Sequence, residues 1–246
     1  MFWFRSEVAR FHVRGLKTRF KQAAELGAIR DHVRPDSIVC DVGAYKGSYL
    51  YWLSRWCRNG KVFAFEPLSD FADSLTDICA NQSNVTIEEL AVSNSSGIRT
   101  IYVPIDHPQG ASLVKDDQTM GPCTMRQIQS VSLDDYFSNE EQIALLKVDV
   151  EGTELDVFKG AAQILLRQSP LLVFECESRH LRKTQTSMSE VFLYLRSLGY
   201  EGHFVLRNRV LPLCAFDPMK HQREDGEAYW NNKDYCNNFI FKKTRH

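Results

Sequence analysis

The sequence predicts an α/β fold in which a mostly parallel sheet carries helices on both faces. Three observations predict it. Short apolar strands alternate with helical segments from about residue 35 onward. A glycine-bearing turn follows the first strand directly, the place where doubly wound sheets bind ligands beside their topological switch. A hydrophobic content of 43% in 246 residues fills the core of one ordinary domain, so a second full domain is not expected.

Residues 1 to about 34 lack proline until Pro35 and keep a helical period, which predicts an amino-terminal helical extension over 1–34 ahead of a main domain over 35–246. Ala9, Val13, Leu16 and Phe20 form one apolar stripe, and Arg10, Arg14, Lys17 and Lys21 repeat the same spacing on an adjacent face. The stripe is expected to pack on the main domain with the basic side in water. The sharper alternative is a basic docking face for an anionic substrate, a partner or a membrane surface.

Within the main domain, Ser37–Val42 is the first strand, Ser48–Trp56 a helix and Lys61–Glu66 a second strand stopped by Pro67. Phe71–Cys79 is helical and Val85–Glu89 a third strand. From Ala91 to Val131 the pattern loosens into an added strand at Ile98–Val103 and a loop over Asp106–Pro122. Ala144–Val150 is a buried strand, Thr153–Arg167 a helix, Leu171–Glu175 a strand and Met188–Leu198 a helix. Strands over Phe204–Leu211 and Asn238–Lys242 close the domain.

Thirty basic and 31 acidic residues leave a formal charge of −1, which supplies no global field for nucleic acid. No apolar run reaches the ~20 residues that span a bilayer, and MFWFRSEVARF lacks the apolar core of a secretory signal. Seven scattered cysteines form no CxxC pair, so neither a zinc knuckle nor a disulfide framework is indicated. The sequons at Asn81, Asn84 and Asn94 read as chance. A reduced, cytoplasmic protein is expected.

Asp41-Val42-Gly43-Ala44-Tyr45-Lys46-Gly47 lies between the first strand and its helix, and Glu66 ends the second strand. An acid at that strand end is placed to accept hydrogen bonds from both ribose hydroxyls of a nucleoside. The glycines do not follow G-x-G-x-x-G, which speaks against a dinucleotide and its pyrophosphate. An acid opening the turn repels phosphate and suits the sulfonium and amino group of S-adenosylmethionine. A side chain at Gly43 is expected to block that ligand and leave the fold intact.

Leu145-Leu146-Lys147-Val148-Asp149-Val150-Glu151-Gly152-Thr153-Glu154 sets charges into an apolar strand. Alternation puts Lys147, Asp149 and Glu151 on one face, and a charge there is costly unless Lys147 has a carboxylate partner.

Asp41-Val42-Gly43-Ala44, Phe65-Glu66-Pro67, Leu90-Ala91-Val92-Ser93 and Lys147 to Glu154 together resemble the FkbM methyltransferase family, in order and spacing from about Ile38 to Glu175. The resemblance implies a class I methyltransferase (Rossmann-like) fold with a seven-stranded sheet. It also implies S-adenosylmethionine as methyl donor and a hydroxyl as the usual acceptor. Members of the family act on macrolide hydroxyls and on sugars, including fucosyl groups of lipo-chitooligosaccharides. Asp41, Gly43, Ala44, Tyr45, Gly47, Glu66, Leu90 and Ala91 are the residues expected at the donor. Tyr45 departs from the family, which usually has Asn there.

Methyl transfer to oxygen requires a positioned acceptor and a base for its proton. Asp149 is the first base to consider, at the end of its strand, and His180 the second, in a loop after Phe174-Glu175-Cys176-Glu177. Glu151, Glu175 and Trp230 are expected at the acceptor, a sugar, glycan or other small molecule, with the polar stretch Asp217–Asp234 as a lid. A divalent cation on Glu175 and Asp149 is the lesser alternative, since both are equally suited as partners of Lys147, and no metal ligand is assigned. An oxidoreductase would need the missing dinucleotide turn, and a non-catalytic S-adenosylmethionine-binding module would be expected to have lost Asp41, Glu66 or Asp149.

Overall fold

A computed structural model describes residues 2–115, 121–137, 141–226 and 228–243 of the chain. The amino-terminal segment forms α1 (Phe2–Lys21) and α2 (Ala23–His32), two helices where one was expected, separated at Gln22. The main domain follows with β1 (Ile38–Val42), α3 (Leu50–Trp56), β2 (Lys61–Phe65), α4 (Ser69–Cys79) and β3 (Val85–Glu88). Next come β4 (Ala91–Val92), β5 (Gly97–Pro104), β6 (Cys123–Val131), α5 (Leu133–Tyr136) and β7 (Ile143–Val148). The second half holds α6 (Glu154–Lys159), α7 (Ala162–Arg167), β8 (Leu171–Glu175), α8 (Ser178–Leu181) and α9 (Met188–Ser197). It ends with β9 (Tyr200–Leu206), β10 (Arg209–Pro212), α10 (Pro218–His221) and β11 (Asn238–Lys243).

Among the described residues the main sheet has the order β10-β9-β11-β8-β7-β1-β2-β3. β8, β7, β1, β2 and β3 are parallel, and β11 runs antiparallel between β8 and β9. This is the class I methyltransferase arrangement, with eight strands in place of the seven expected. The extra strand arises because the stretch Phe204–Leu211, read as one strand, is part of a hairpin. Arg207 and Asn208 both take positive φ, 50° and 58°, and turn the chain back on itself. Two such residues make the type I′ geometry that suits twisted strands. Neither is glycine, so the usual signal is absent.

A second sheet, β4-β6-β5, occupies the region where the pattern loosened. β5 pairs with β6 antiparallel from Gly97↔Ser130 to Pro104↔Cys123. The strand β6 was not anticipated. Most of its residues face solvent, Met125 included, so Cys-Thr-Met-Arg-Gln-Ile-Gln-Ser-Val carries no clean alternation of polar and apolar residues. Residues 116–120 of the expected loop lie outside the described residues.

Side-chain alternation along the parallel strands feeds two cores. Cys40, Val42, Phe63, Phe65, Leu146 and Val148 face one, and Val39, Val62, Ala64 and Leu145 face the other. The helix expected over Thr153–Arg167 is two helices, broken at Gly160, where the Ser93 carbonyl leaves no room for a side chain. Ser187 and Glu190 cap the start of α9 reciprocally.

Both amino-terminal helices share these cores. Leu26, Ile29 and Val33 join the cluster beneath β1 and β8. Helix α1 is seated by Phe11, which is buried against Gly47 and meets Tyr51 edge-on with ring centroids 5.4 Å apart. Trp52 Nε1 donates to the Gly15 carbonyl at 2.8 Å, and Arg14 Nε to the Lys46 carbonyl at 3.1 Å. The face that packs is therefore Phe11-Gly15-Thr18 and not the Ala9-Val13-Leu16-Phe20 stripe, which is exposed. Backbone approach decided the choice: the bare Gly15 lets Tyr51 lie flat against the helix, where a Cβ would sit 2.2 Å from its ring. Phe11→Ala should lower unfolding free energy by about 3–5 kcal/mol, read by urea denaturation. A loss below about 1 kcal/mol would show that α1 lies outside the cooperative core.

Candidate active site

β1 and β7 are neighbours whose following connections run to opposite sides of the sheet, so their carboxyl ends open a crevice. The turn after β1 doubles back over that crevice. Gly43 N and Ala44 N both donate to the Phe65 carbonyl, at 3.0 and 3.1 Å, and Asp149 N donates to the Val42 carbonyl at 3.0 Å. Gly43 has φ +77° and a Cβ there would stand 1.8 Å from the Asp149 carbonyl oxygen. That contact is backbone, so it cannot move aside. The expectation that a side chain at 43 would obstruct only the ligand is corrected: it would part β1 from β7 first.

Tyr45 is left-handed as well, with φ 47°, a conformation Asn tolerates and large side chains seldom adopt. The Asn usual in the family at this place therefore has a backbone reason. Tyr45 is held there by Phe71, edge-on at 4.6 Å, and by Lys46, whose Nζ lies 4.8 Å from the ring centroid. Tyr45 N donates to Glu66 Oε2 at 2.8 Å, and Leu68 N to Glu66 Oε1 at 3.0 Å. Burial pushes the Glu66 carboxyl up to about 7 against those two amides, which pull it down.

Beneath the turn lies an ion cluster. Lys147 is buried, with Nζ 3.3 Å from Asp149 Oδ2, 3.5 Å from Asp41 Oδ1 and 3.5 Å from the Gly43 carbonyl, over the face of Tyr49. Burial alone would lower the lysine's pKa, but Asp149 and Asp41 outweigh it and raise it, so it stays an ammonium. Asp41, 1% exposed, is held by Lys147 and by the backbone N–H of Leu50. Burial holds both Asp41 and Asp149 above the usual carboxylate range, against the pull of Lys147. The carboxylate partners of Lys147 are thus Asp41 and Asp149, not Glu175. The Asp149 side chain is 31% exposed and reaches the crevice.

The strand-like alternation ends at Asp149. Glu151 is left-handed at φ 56° and Gly152 at φ +105°, where the His180 carbonyl approaches to 2.4 Å of a would-be Cβ. Glu154, buried, closes this turn by accepting from Gly152 N at 2.9 Å, and burial raises its carboxyl to about 8. Glu151 Oε2 lies 2.9 Å from His180 Nε2, too bent for a good hydrogen bond, while His180 Nδ1 is 3.2 Å from Lys183 Nζ.

Behind His180 stands a carboxyl pair. Glu177 is gripped by Arg179 at 2.7 and 2.9 Å and by the Tyr235 hydroxyl. Burial works against its charge, but those bonds win and hold it at about 2. Glu175, which accepts from Asn237 Nδ2 at 2.7 Å, is pushed well above its ordinary value by burial and by Asp149, Glu151 and Glu177 around it. The two carboxyls are thus shifted in opposite directions, Glu175 up and Glu177 down.

The resulting cleft holds about 780 Å³ of unfilled space, part of it open to solvent. Gly43, Tyr45, Glu66, Leu90, Ala91, Asp149 and Glu151 line it. Asp41, Ala44 and Gly47 sit behind that lining, Ala44 in the core and Gly47 under Phe11. Glu175 and His180 lie beyond Glu151, and half-exposed Trp230 further out, with the Arg179 guanidinium 5.4 Å from its ring centroid. Sequence reasoning missed the opposite wall, built by Ile101, Gln109, Ser112 and Leu113. Ser112 bridges to Tyr102 and its Oγ donates to the Glu151 carbonyl at 3.2 Å.

The sequence matches the Methyltransferase FkbM domain over residues 41–201. The chain belongs to the FkbM methyltransferase family. S-adenosylmethionine is accordingly its cofactor, and the motif resemblance is borne out. No curated protein matches it in sequence. Among solved structures, the FkbM methyltransferase of Methylobacillus flagellatus KT is 17% identical with a TM-score of 0.53, covering 85% of this chain and 44% of its own. The chain thus spans less than half of that relative, and the likeness is one of fold. A Thermotoga maritima SAM-dependent O-methyltransferase (14% identity, TM-score 0.44, covering 92% and 66%) and a Streptococcus mutans protein solved with SAH (11%, 0.47, covering 91% and 97%) are also similar.

Glu66 and Glu154 bind protons more tightly folded than unfolded, so the native state holds more protons between about pH 4.5 and 8. Stability from these groups falls as pH rises through that window. Urea midpoints should show the decline, and Glu154→Gln, which keeps an acceptor for Gly152 N, should flatten it. An unchanged slope in the variant would remove Glu154 as its source.

Proposed function

We propose that this FkbM-family protein is a cytoplasmic O-methyltransferase acting on a hydroxyl of a sugar or glycan, of which a fucosyl group of a lipo-chitooligosaccharide is one example. One observation carries the proposal. The cleft has a buried nucleoside-type acid, Glu66, at one end and a lysine-anchored carboxylate, Asp149, at the other. The donor set fits S-adenosylmethionine. Glu66 keeps free lone pairs after its two backbone bonds, enough for two ribose hydroxyls, and acids without a phosphate-binding amide nest suit a sulfonium cation.

When bound, S-adenosylmethionine supplies an electrophilic methyl group. With the donor bound, Asp149 would take the acceptor hydroxyl's proton. Its burial-raised basicity favours that role, since a weakly basic carboxylate captures a hydroxyl proton poorly. Lys147 fixes the carboxylate without neutralising it. Glu151 and His180 form a second hydrogen-bonding position for the acceptor, and Trp230 offers an apolar face for a sugar ring. Glu151 lines the cleft beside Asp149, and two carboxylates there disfavour a phosphate-bearing acceptor.

Glu66→Ala should weaken S-adenosylmethionine binding by about 1.5–3 kcal/mol in calorimetry. Unchanged affinity would remove that strand end from the donor site. Asp149→Asn should slow single turnover by about 10²–10⁴-fold with little change in donor affinity. If melting temperature instead drops while the rate per folded molecule holds, Asp149 serves Lys147 only, and His180 becomes the base to test.

A further inference from the structure

Helix α1 presents an apolar stripe to solvent. Val13, Leu16 and Phe20 are 49%, 47% and 78% exposed, and Ala9 is exposed beside them. At ~100° per residue the stripe fills a narrow arc opposite Phe11, Gly15 and Thr18, which pack on the domain. Cations flank it on both sides: Arg10, Arg14, Lys17 and Lys21 along one edge, Arg19 along the other. Only one acid, Glu7, lies among residues 6–21, and it pairs with Arg10.

Some of these cations are already placed. Arg14 binds the Lys46 carbonyl and Arg19 lies over Trp52, which keeps the basic edges at fixed angles to the stripe. At the carboxyl end of α1, Asn208 Nδ2 donates to the Phe20 carbonyl at 3.4 Å. This brings the β9–β10 hairpin tip alongside, with exposed Arg209 and Val210. The patch is thus an apolar ridge, bordered by cations, on a helix whose inner face holds it rigidly to the domain.

We propose that this ridge docks the protein on an anionic lipid bilayer, the apolar stripe entering the headgroup–acyl boundary and the flanking lysines and arginines meeting lipid phosphates. The geometry is that of an interfacial helix, which lies in the membrane plane. Long cationic side chains bury their stems while their heads stay at the charged surface. Such cations are attracted to the negative surface of an anionic leaflet. No described helix is long and apolar enough to cross a membrane, so docking is from one side. Because Phe11 of the same helix rests on Gly47, the docked surface lies directly behind the donor turn. The inference is independent of the acceptor proposed above.

Vesicle flotation of the whole protein tests it, with phosphatidylcholine alone and mixed with phosphatidylglycerol. The protein should float with the anionic vesicles only and be released by salt. Phe20→Ser, and separately Lys17→Glu with Lys21→Glu, should each lower the partition coefficient roughly tenfold or more. These side chains are exposed, so melting temperature should not change. Failure to float with anionic vesicles overturns the proposal, as does wild-type flotation of both variants. So does a dimer in sedimentation that dissolves on Phe20→Ser, which would make the ridge an interface between copies.

Discussion

A lysine ammonium buried between two aspartates joins the ends of β1 and β7, and the site is assembled around it. Lys147 reaches Asp41 on the neighbouring strand and Asp149 two residues on, and also the Gly43 carbonyl of the turn. Replacing such a cluster by apolar residues is often neutral or stabilising, whereas removing one member is costly. Stability alone is therefore a poor reason for it. Its effect is positional: Asp149 is drawn to one orientation at the cleft floor, and the glycine turn is tethered to the same ammonium. Asp41, on the strand beside Lys147, makes the tether two-sided.

The rest of the cleft follows from how the chain leaves β7. Left-handed backbone at Glu151 and Gly152, closed by Glu154, turns the chain sharply, so that Glu151 lines the cleft and the His180 carbonyl packs against Gly152. The small sheet β4-β6-β5 then supplies the facing wall, with Ser112 bonded to the Glu151 carbonyl. Two separate insertions thus converge on one strained residue. Such strain persists only where the surroundings over-determine it, and here Glu154, Ser112 and His180 do so together.

The parallel strands themselves were legible because buried strands such as Lys61–Phe65 are short apolar runs bounded by glycine or proline. The cleft-lining place of Glu66 and the Lys147–Asp149 pairing were legible for a related reason, as charges in otherwise apolar strands. What escaped had no such contrast. β6 is largely solvated, so its composition is that of a loop. The Arg207-Asn208 turn lacks glycine, and one strand was read where two lie. The stripe on α1 was misassigned to the core because periodicity shows that a helix has faces but not which one is buried. Gly15, a single missing side chain, settled that in favour of Phe11. The ring of Glu175, Glu177, Arg179 and Tyr235 draws on segments some sixty residues apart in sequence, a distance no local pattern spans.

Gly43 touches the Asp149 carbonyl so closely that the glycine turn and the end of β7 form a single rigid piece. Divergence has little freedom there: a change that enlarges residue 43 disturbs the turn and Asp149 at once. The outer segments around 177–183 and 217–235 are held by side-chain bonds such as Arg182–Glu224 and Arg207–Asp234, and such bonds can be exchanged one at a time. A lineage built on this scaffold would keep its methyl-donor chemistry while its choice of acceptor drifts. New specificities would then arise by editing the periphery, with the centre inherited whole.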